Sequence, residues 1–240
     1  MRKFLALVLI AALGAVLIAA VVNLPEPGTT DSPVHTHVSA GYIKGGHEAG
    51  GADNLVTAVL LNYRAIDTFG EVTVIFTALI AVLAATSLAG PTERSGTQNI
   101  DLKTTRVPVS PVVSFVVRLM APFIATFALF VMLKGHELPG GGFQGGVVLG
   151  AMLILLALFS GRTDKTDDEE LPPGLRNWIR AAGPLVFGAL GLTGLVFSGW
   201  LFSLPDHPFW REMVMIGLEL GIGIGGAAVL VGLFRALREG

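Results

Sequence analysis

Apolar residues are gathered along this chain in six long runs, separated by shorter polar segments. A run of about 20 apolar residues is long enough to cross the hydrocarbon core of a bilayer as an α-helix. The pattern therefore predicts an all-α, polytopic membrane protein with about six transmembrane helices. The predicted spans are residues 4–22, 68–89, 112–133, 143–160, 179–203 and 212–234.

The composition supports this prediction and narrows the chemistry. Of the 240 residues, 52% are hydrophobic and 14% are charged, and the mean hydropathy is +0.69. These values lie outside the range of soluble globular domains. The absence of cysteine excludes disulfides, thiolate metal sites and iron–sulfur clusters within this chain, so we expect no cofactor in it. The net charge is −2 and there is no dense basic cluster, which gives no indication of nucleic-acid binding.

The first apolar run, Phe4–Val22, could be mistaken for a secretory signal peptide. It is longer than the usual apolar core of such a peptide, and Asn23-Leu24-Pro25 is a poor cleavage site. We therefore interpret it as a retained membrane helix. With the N-terminus in the cytoplasm, eleven of the 16 Lys and Arg residues fall in inner segments and four in outer segments. This asymmetry predicts that both termini are cytoplasmic.

A glycine-rich turn joins the third and fourth predicted helices. Its residues are Lys134, Gly135, His136, Glu137, Leu138, Pro139, Gly140, Gly141, Gly142, Phe143, Gln144, Gly145 and Gly146. Three consecutive glycines allow a tight turn, so we expect a positive φ or a close backbone contact there. Lipid does not tolerate irregular backbone, so the turn should pack against protein or an aqueous cavity. It follows a membrane helix and lacks a nucleotide fingerprint, which argues against a phosphate-binding loop.

Several ionisable residues lie inside or beside the predicted spans. They are Arg64, Asp67, Glu71, Lys134, His136, Glu137 and Glu219. Such residues mark proton or cation pathways or form structural salt bridges, and both interpretations stay open. Glu219 has no charged neighbour one turn away in its own span. We therefore expect it to meet Lys134, His136, a neighbouring protein or water, or else to stay protonated.

The remaining candidate chemistry is sparse. No group of side chains has the spacing of a catalytic arrangement, so we predict no catalytic residues. His35 and His37 invite a metal interpretation, but no third ligand is convincingly spaced, so we predict no metal site. At the start of the second span, Thr68 and Glu71 have the spacing of a capping box. Capping would account for both residues, and Arg64 could neutralise Asp67 in a structural ion pair.

The glycine-rich turn also carries a resemblance. The run from Gly135 to Gly146 closely resembles the signature of the B subunit (MnhB/MrpB) of Mrp-type multisubunit Na⁺/H⁺ antiporters. In that family a histidine is followed after a few residues by Pro-Gly-Gly-Gly-Phe-Gln-Gly-Gly, which here is residues 139–146. The resemblance covers roughly residues 108–238, and the layout of four spans agrees with it.

The front of the chain resembles a second protein of such assemblies. Residues 54–73 look like the small E-type subunit of membrane-bound hydrogenases, a pattern that also closes the large A-type subunit of Mrp antiporters. The family usually has Arg-Gly-Phe-Asp-Thr-Leu-Gly-Glu, and the departures here are at Ala65, Ile66 and Phe69. We therefore expect a two-span segment at residues 1–90, a cytoplasmic linker at 91–110 and a four-span B-like domain at 111–240.

These resemblances imply a membrane subunit of an Mrp-type cation/proton antiport module, either free or attached to a membrane-bound hydrogenase-like respiratory complex. They imply other membrane subunits as partners, a lipid bilayer as surroundings, Na⁺ and H⁺ as candidate ions, and the inner (plasma) membrane of a prokaryotic cell. The chain would be non-catalytic by itself, although it could belong to a cation-translocating oxidoreductase complex. Two alternatives stay open: a purely structural spacer, and a self-sufficient small secondary transporter, which the lack of a visible repeat disfavours.

Overall fold

The computed structural model describes residues 2–24, 28–32, 34–88, 110–159 and 173–239. Within these ranges the chain forms helices and no strand. The α-helices are α1 Arg2–Val22, α2 Ser39–Gly45, α3 Leu55–Ala58, α4 Ala65–Leu88, α5 Pro111–Leu133, α6 Gly142–Phe159, α7 Pro173–Phe197 and α8 Pro208–Glu239. Two π-helical segments, Val34–Val38 and Val59–Tyr63, lead into α2 and towards α4.

Six of these helices, α1 and α4 to α8, are long and apolar enough to cross a membrane. The prediction of an all-α protein with six membrane helices is therefore confirmed.

The predicted bounds of the fifth span, 179–203, lie too far along the chain. The corresponding helix, α7, ends at Phe197 and not at residue 203. Gly199 and Phe202 have positive φ values of 74° and 63°, which break the helical path within a segment that is still apolar. Hydropathy reports composition and does not detect such a break.

The chain divides into two compact units, Met1–Lys44 and Gly45–Gly240. The first unit contains α1, the π-helical segment Val34–Val38 with His35 and His37, and nearly all of α2. The second unit contains α3 to α8. The predicted linker at residues 91–110 lies outside the described residues except for Ser110.

In the second unit α8 is the central helix, and α4, α5, α6 and α7 all pack against it. Glycines allow two of these close approaches. A Cβ atom on Gly146 of α6 would lie 2.7 Å from the carbonyl oxygen of Gly223, and one on Gly225 would lie 2.6 Å from Cα of Gly183 in α7. Backbones therefore touch where α8 crosses α6 and α7, the usual role of small residues between membrane helices.

An aromatic cluster joins α4 to α7 beside this crossing. The ring centroids of Phe69, Phe187 and Phe202 are 5.5 to 5.9 Å apart. The ring of Phe202 occupies the space next to Gly191 where a side chain would otherwise lie. Gly191 and Gly225 thus make their close contacts within this chain.

Candidate functional site

The turn between α5 and α6 has a backbone that only glycine adopts easily. Gly140 and Gly141 have φ values of 140° and 133°, which confirms the expected positive φ in the triple-glycine segment. A Cβ atom on Gly140 would lie 2.8 Å from Cγ1 of Val131. A side chain there would be both strained and obstructed.

The carboxylate of Glu219 lies where side chains on Gly135, Gly141 and Gly142 would otherwise be. Glu219 lies in α8 and is 4% exposed. The backbone N–H of Gly142 donates a hydrogen bond to its Oε2. A Cβ atom on Gly141 would lie 3.0 and 3.1 Å from the two carboxylate oxygens, and one on Gly135 would lie 2.9 Å from Oε1. We call this arrangement of Gly135, Gly141 and Gly142 around Glu219 the glycine cradle.

Thr57, from the short helix α3, completes the polar surroundings of Glu219. Its buried hydroxyl lies 2.7 Å from the carbonyl oxygen of Gly135 and 3.4 Å from Oε1 of Glu219. A hydroxyl has one proton to donate and two lone pairs. When it donates to Gly135 it can accept from a protonated Glu219, and when it turns it can donate to the carboxylate. The geometry thus suits both forms of Glu219.

The partners of Glu219 differ from those that the sequence suggested. Among the described residues both are uncharged, an amide and a hydroxyl, whereas the sequence suggested Lys134, His136, a neighbouring protein or water, or else a protonated side chain. Nζ of Lys134 instead lies 2.7 Å from Oε1 of Glu137, three residues along the turn. This hydrogen bond lowers the pKa of Glu137 below its ordinary value.

Asn54 ties the front segment of the second unit to the turn. Its amide nitrogen donates to the carbonyls of Gly135 at 2.8 Å and Leu138 at 2.9 Å, and its backbone N–H donates to the carbonyl of His136 at 3.0 Å. Its side-chain oxygen accepts from the N–H of Val56 and so caps α3. Asn54 therefore holds Thr57 in register with the glycine cradle. Sequence reasoning missed both residues, because their partners lie 78 to 84 residues away.

A cavity of about 10 Å³ adjoins the cradle, roughly the size that one water molecule requires. Its lining includes Thr57, Thr68, Gly141, Phe143, Gln144 and Glu219. The cavity lies where α3, its π-helical extension and the start of α4 face the turn. Among the described residues, Thr57, Thr68, Gln144 and Glu219 bring polar side chains to it.

The capping-box prediction for Thr68 and Glu71 is wrong. Helix α4 already begins at Ala65, so Thr68 lies inside its first turns. The buried Thr68 hydroxyl donates to the carbonyl of Leu60 at 2.7 Å, and Glu71 is exposed on α4. The π-helical segment Val59–Tyr63 directs that carbonyl towards Thr68, which a sequence pattern cannot reveal.

Arg64 lies at the break between the π-helical segment and α4. Its Nε is 2.5 Å from Oδ2 of Asp67, and both side chains are exposed. This is the ion pair that the sequence suggested, at the surface of the chain rather than in its core. Among the described residues, the cavity lining includes none of Arg64, Asp67 and Glu71.

His136 is buried beside the exposed rim of the turn. Its Nε2 lies 3.4 Å from Oε1 of Glu137 and 3.6 Å from Oε1 of Glu212 in α8. Sequence reasoning did not select Glu212. A signal was present, since Glu212 precedes Glu219 by seven residues, which places both on one face of α8 two turns apart.

The remaining positions of the turn serve packing or lie at its surface. Pro139 is exposed, Phe143 packs against the hydrophobic core, and Gln144 is exposed at the cavity. A Cβ atom on Gly145 would lie 2.5 Å from Cγ of Met132 in α5. Gly145 therefore keeps α5 and α6 close together directly after the turn.

The fold and the site define a multi-span helical membrane protein with one buried carboxyl group, among the described residues, held between its helices. The chain belongs to the family described as a domain related to the MnhB subunit of Na⁺/H⁺ antiporters, which matches residues 112–235. Residues 2–98 match a second family, the E-type subunit of MBH. Both resemblances predicted from the sequence are thereby confirmed.

The similarity to known proteins covers most of this chain but different shares of those proteins. One is the A/B subunit of a probable K⁺/H⁺ antiporter from Rhizobium meliloti (strain 1021). The two sequences are 29% identical over 201 residues, covering 77% of this chain and 20% of that protein. The chain thus spans about a fifth of that relative.

Two solved structures contain a similar chain. One is in the membrane-bound sulfane sulfur reductase (MBS), an archaeal respiratory membrane complex, with a TM-score of 0.59, 26% identity, and coverage of 95% of this chain and 97% of that chain. The other is in the Mrp complex from Dietzia sp. DQ12-45-1b, with a TM-score of 0.61 and 23% identity, covering 96% of this chain and 26% of that chain. The second likeness is one of fold.

Proposed function

We propose that this chain is a membrane subunit of a multisubunit cation/proton antiport module, and that Glu219 lies on the route of the proton or the cation. The family membership supports the first part. The observation that carries the second part is the buried carboxylate of Glu219 in the glycine cradle, with uncharged partners on both oxygens.

A carboxylate in this position needs a counter-charge. A charged side chain at the centre of a membrane span is unfavourable by about 2.5–3.5 kcal/mol on insertion scales. The Gly142 amide and the Thr57 hydroxyl stabilise the charge in part. A bound proton or a bound cation would neutralise it completely, and the two would compete for the same oxygens. Such competition at one carboxylate is the chemistry that exchange of a cation for a proton requires.

Oxygen atoms around Glu219 suit a hard cation. Besides its two carboxylate oxygens, the hydroxyl oxygen of Thr57 lies 3.4 Å from Oε1, and the adjoining cavity has room for one water. Oxygen ligands are those preferred by hard cations such as alkali and alkaline-earth ions. Na⁺ is the candidate that the family description suggests, and K⁺ is the one that the Rhizobium relative suggests.

The rim of the turn offers an approach from water. Lys134, Glu137 and Glu212 have partly exposed charged groups, and His136 lies between them and the cradle along the turn. We propose that ions reach Glu219 from this rim. Arg64, Asp67 and Glu71 lie exposed at the start of α4, where Arg64 and Asp67 form an ion pair. We propose that this charged surface faces a neighbouring subunit.

The proposed host is a respiratory-type membrane complex. This chain spans 97% of the similar chain in MBS but 20% of the Rhizobium antiporter relative and 26% of the Mrp chain. The similarity thus extends over nearly the whole of the MBS chain, which supports this host. The other membrane subunits of such a complex would be its partners, in a prokaryotic plasma membrane with both termini in the cytoplasm.

Replacing Glu219 by Gln tests the proposed role, because Gln keeps the size of the side chain and removes its titration. Inverted vesicles carrying the complex would be assayed for cation-dependent collapse of a pH gradient, normalised to the amount of this chain. We expect Glu219→Gln to lower the rate at least about tenfold, as for loss of a group acting in proton transfer. The matched control is Glu48→Gln, which removes an exposed carboxylate and should keep the normal rate.

The alternative role is that of a structural spacer, and one observation favours it. The bond from Gly142 to Glu219 also ties α6 to α8, as a purely structural contact would. In that case Glu219→Gln would retain wild-type transport, since its amide oxygen still accepts from Gly142. Reduced transport with a normal amount of assembled complex would exclude the structural role as the only one.

A further inference from the structure

A second polar cluster lies at the rim of the turn, separate from the partners of Glu219. It consists of His136, Glu137 and Glu212, whose nearest ligand atoms all lie within 4.8 Å of one another. The His136 side chain is 9% exposed, whereas those of Glu137 and Glu212 are 40% and 49% exposed. The cluster therefore joins one buried imidazole to two carboxylates that remain in contact with water.

The imidazole of His136 lacks hydrogen bonds, although it is buried. Within the part of the chain that the structure describes, neither Nδ1 nor Nε2 has a hydrogen-bonding partner. Buried polar groups are nearly always paired, so an unpaired imidazole requires an explanation. Its Nε2 is directed between the two carboxylates, at 3.4 Å from Glu137 and 3.6 Å from Glu212.

These separations fit the edges of a metal coordination sphere. Two ligands that are each about 2.1 Å from a zinc ion, at a tetrahedral angle, are about 3.4 Å apart. The observed distances from Nε2 to the carboxylate oxygens match that value closely. One imidazole and two carboxylates form a set of three ligands, which leaves a fourth position for water or for a group from a neighbouring protein.

The ligand types select the class of metal. Neutral imidazole binds Zn²⁺, Cu²⁺, Ni²⁺ and Fe²⁺ well, whereas Mg²⁺ and Ca²⁺ prefer sites made of oxygen alone. We propose that His136, Glu137 and Glu212 form a binding site for a divalent transition-metal ion of the zinc type. The site lies on the rim from which we propose that ions reach Glu219, but none of its three ligands is a hydrogen-bonding partner of Glu219.

Lys134 would compete with such an ion. Its ammonium group already contacts Oε1 of Glu137 at 2.7 Å, and two cations on one carboxylate repel each other. A metal at the position that the distance from Nε2 to Oε1 of Glu137 fits would therefore displace the ammonium group of Lys134, whose side chain is 43% exposed. Removing the Lys134 charge should strengthen metal binding, an effect that a simple surface ion pair does not predict.

The test is a Co²⁺ titration of the purified, detergent-solubilised complex that contains the full chain, after removal of metals with EDTA. Co²⁺ replaces Zn²⁺ in such sites and reports tetrahedral coordination by visible absorption. We expect the wild-type complex to bind one Co²⁺ per chain at this site. The Glu212→Gln complex should bind that ion about tenfold or more weakly. Zn²⁺ should displace the bound Co²⁺, and Mg²⁺ should not.

Three further variants make the result specific. His136→Gln should lose the same Co²⁺ ion, Lys134→Met should bind it several-fold more tightly, and Glu48→Gln should bind as the wild type does. If His136→Gln fails to assemble, Glu212→Gln still decides, because its side chain is half exposed. Equal Co²⁺ binding in the wild-type and Glu212→Gln complexes would overturn the proposal. So would a wild-type complex that binds no Co²⁺.

Discussion

The backbone N–H of Gly142 donates a hydrogen bond to the carboxylate of Glu219, 77 residues further along the chain. Gly142 is the first residue of α6, so the carboxylate lies at the positive end of that helix. The same hydrogen bond holds the start of α6 against α8. The site thus consists of the start of α6, where only glycine fits, and a carboxylate from α8.

Substitution at Gly142 should therefore disturb both the fold and the site. A Cβ atom there would overlap the backbone oxygen of Glu219 and lie 2.9 Å from Cβ of Ile222. We expect Gly142→Ala to destabilise the chain by about 1–3 kcal/mol, the usual effect of overpacking. The thermal midpoint of the solubilised complex would measure it.

Gly226 provides the control for this substitution. It lies in α8, and no described atom comes within 4 Å of a Cβ atom built there. Gly226→Ala should not lower the stability and should raise it by up to about 1 kcal/mol, because alanine favours a helix interior more than glycine does. Equal effects at Gly142 and Gly226 would contradict the close contact between α6 and α8.

Two substitutions at Asn54 distinguish its hydrogen bonds to the turn from its capping of α3. Asn54→Asp keeps the oxygen that caps α3 and removes the two N–H donors to Gly135 and Leu138. We expect a loss of about 1–3 kcal/mol, because the carbonyl of Leu138 loses its Asn54 donor and that of Gly135 keeps only the Thr57 hydroxyl. Asn54→Ala should cost about 1 kcal/mol more, since it also removes the cap. An Asn54→Asp complex with wild-type thermal stability would argue against this connection.

Thr57 tests the surroundings of Glu219 without changing the carboxylate. Thr57→Ser keeps the hydroxyl that faces Gly135 and Glu219, whereas Thr57→Val removes it at nearly the same volume. We expect Thr57→Val to reduce the rate of cation-dependent proton transport by about tenfold, equivalent to about 1.4 kcal/mol. Thr57→Ser should transport at close to the normal rate. Equal rates in the two variants would show that the hydroxyl has no part in transport.

Much of this arrangement follows from local sequence, and the rest depends on contacts that no local pattern encodes. Hydropathy predicts the six helices, and the triple glycine predicts the unusual backbone of the turn. The position of Glu219 within an apolar span was enough to single it out. Its partners were not predictable, because Gly142 and Thr57 lie 77 and 162 residues away from it in sequence.

The errors have the same physical origin. Thr68 and Glu71 match a capping box, but the π-helical segment before α4 shifts the helix start to Ala65 and gives Thr68 a different acceptor. In the sequence Glu212 resembles an ordinary surface residue. In the fold its Oε1 lies 3.6 Å from Nε2 of His136. For Thr68 the decisive neighbour is Leu60, eight residues before it, and for Glu212 it is His136, from a distant part of the chain.

The orientation in the membrane stays a prediction from the distribution of Lys and Arg. The chain contains no cysteine, so a single introduced cysteine would be its only site for maleimide labelling. We expect a membrane-impermeant maleimide to label Glu48→Cys on intact cells and to label Thr97→Cys only after permeabilisation. The reverse pattern would place both termini outside.

The most direct test of the central claim is the number of protons released when the cation is added to the solubilised complex. If a proton and a cation compete for Glu219, then cation binding must displace the proton, which a weakly buffered solution with a pH dye can count. We predict that the Glu219→Gln complex releases about one proton fewer per chain than the wild type when the same saturating concentration of cation is added, by linkage between the two ligands. Equal proton release by the two complexes would contradict the assignment of Glu219 to the transport route.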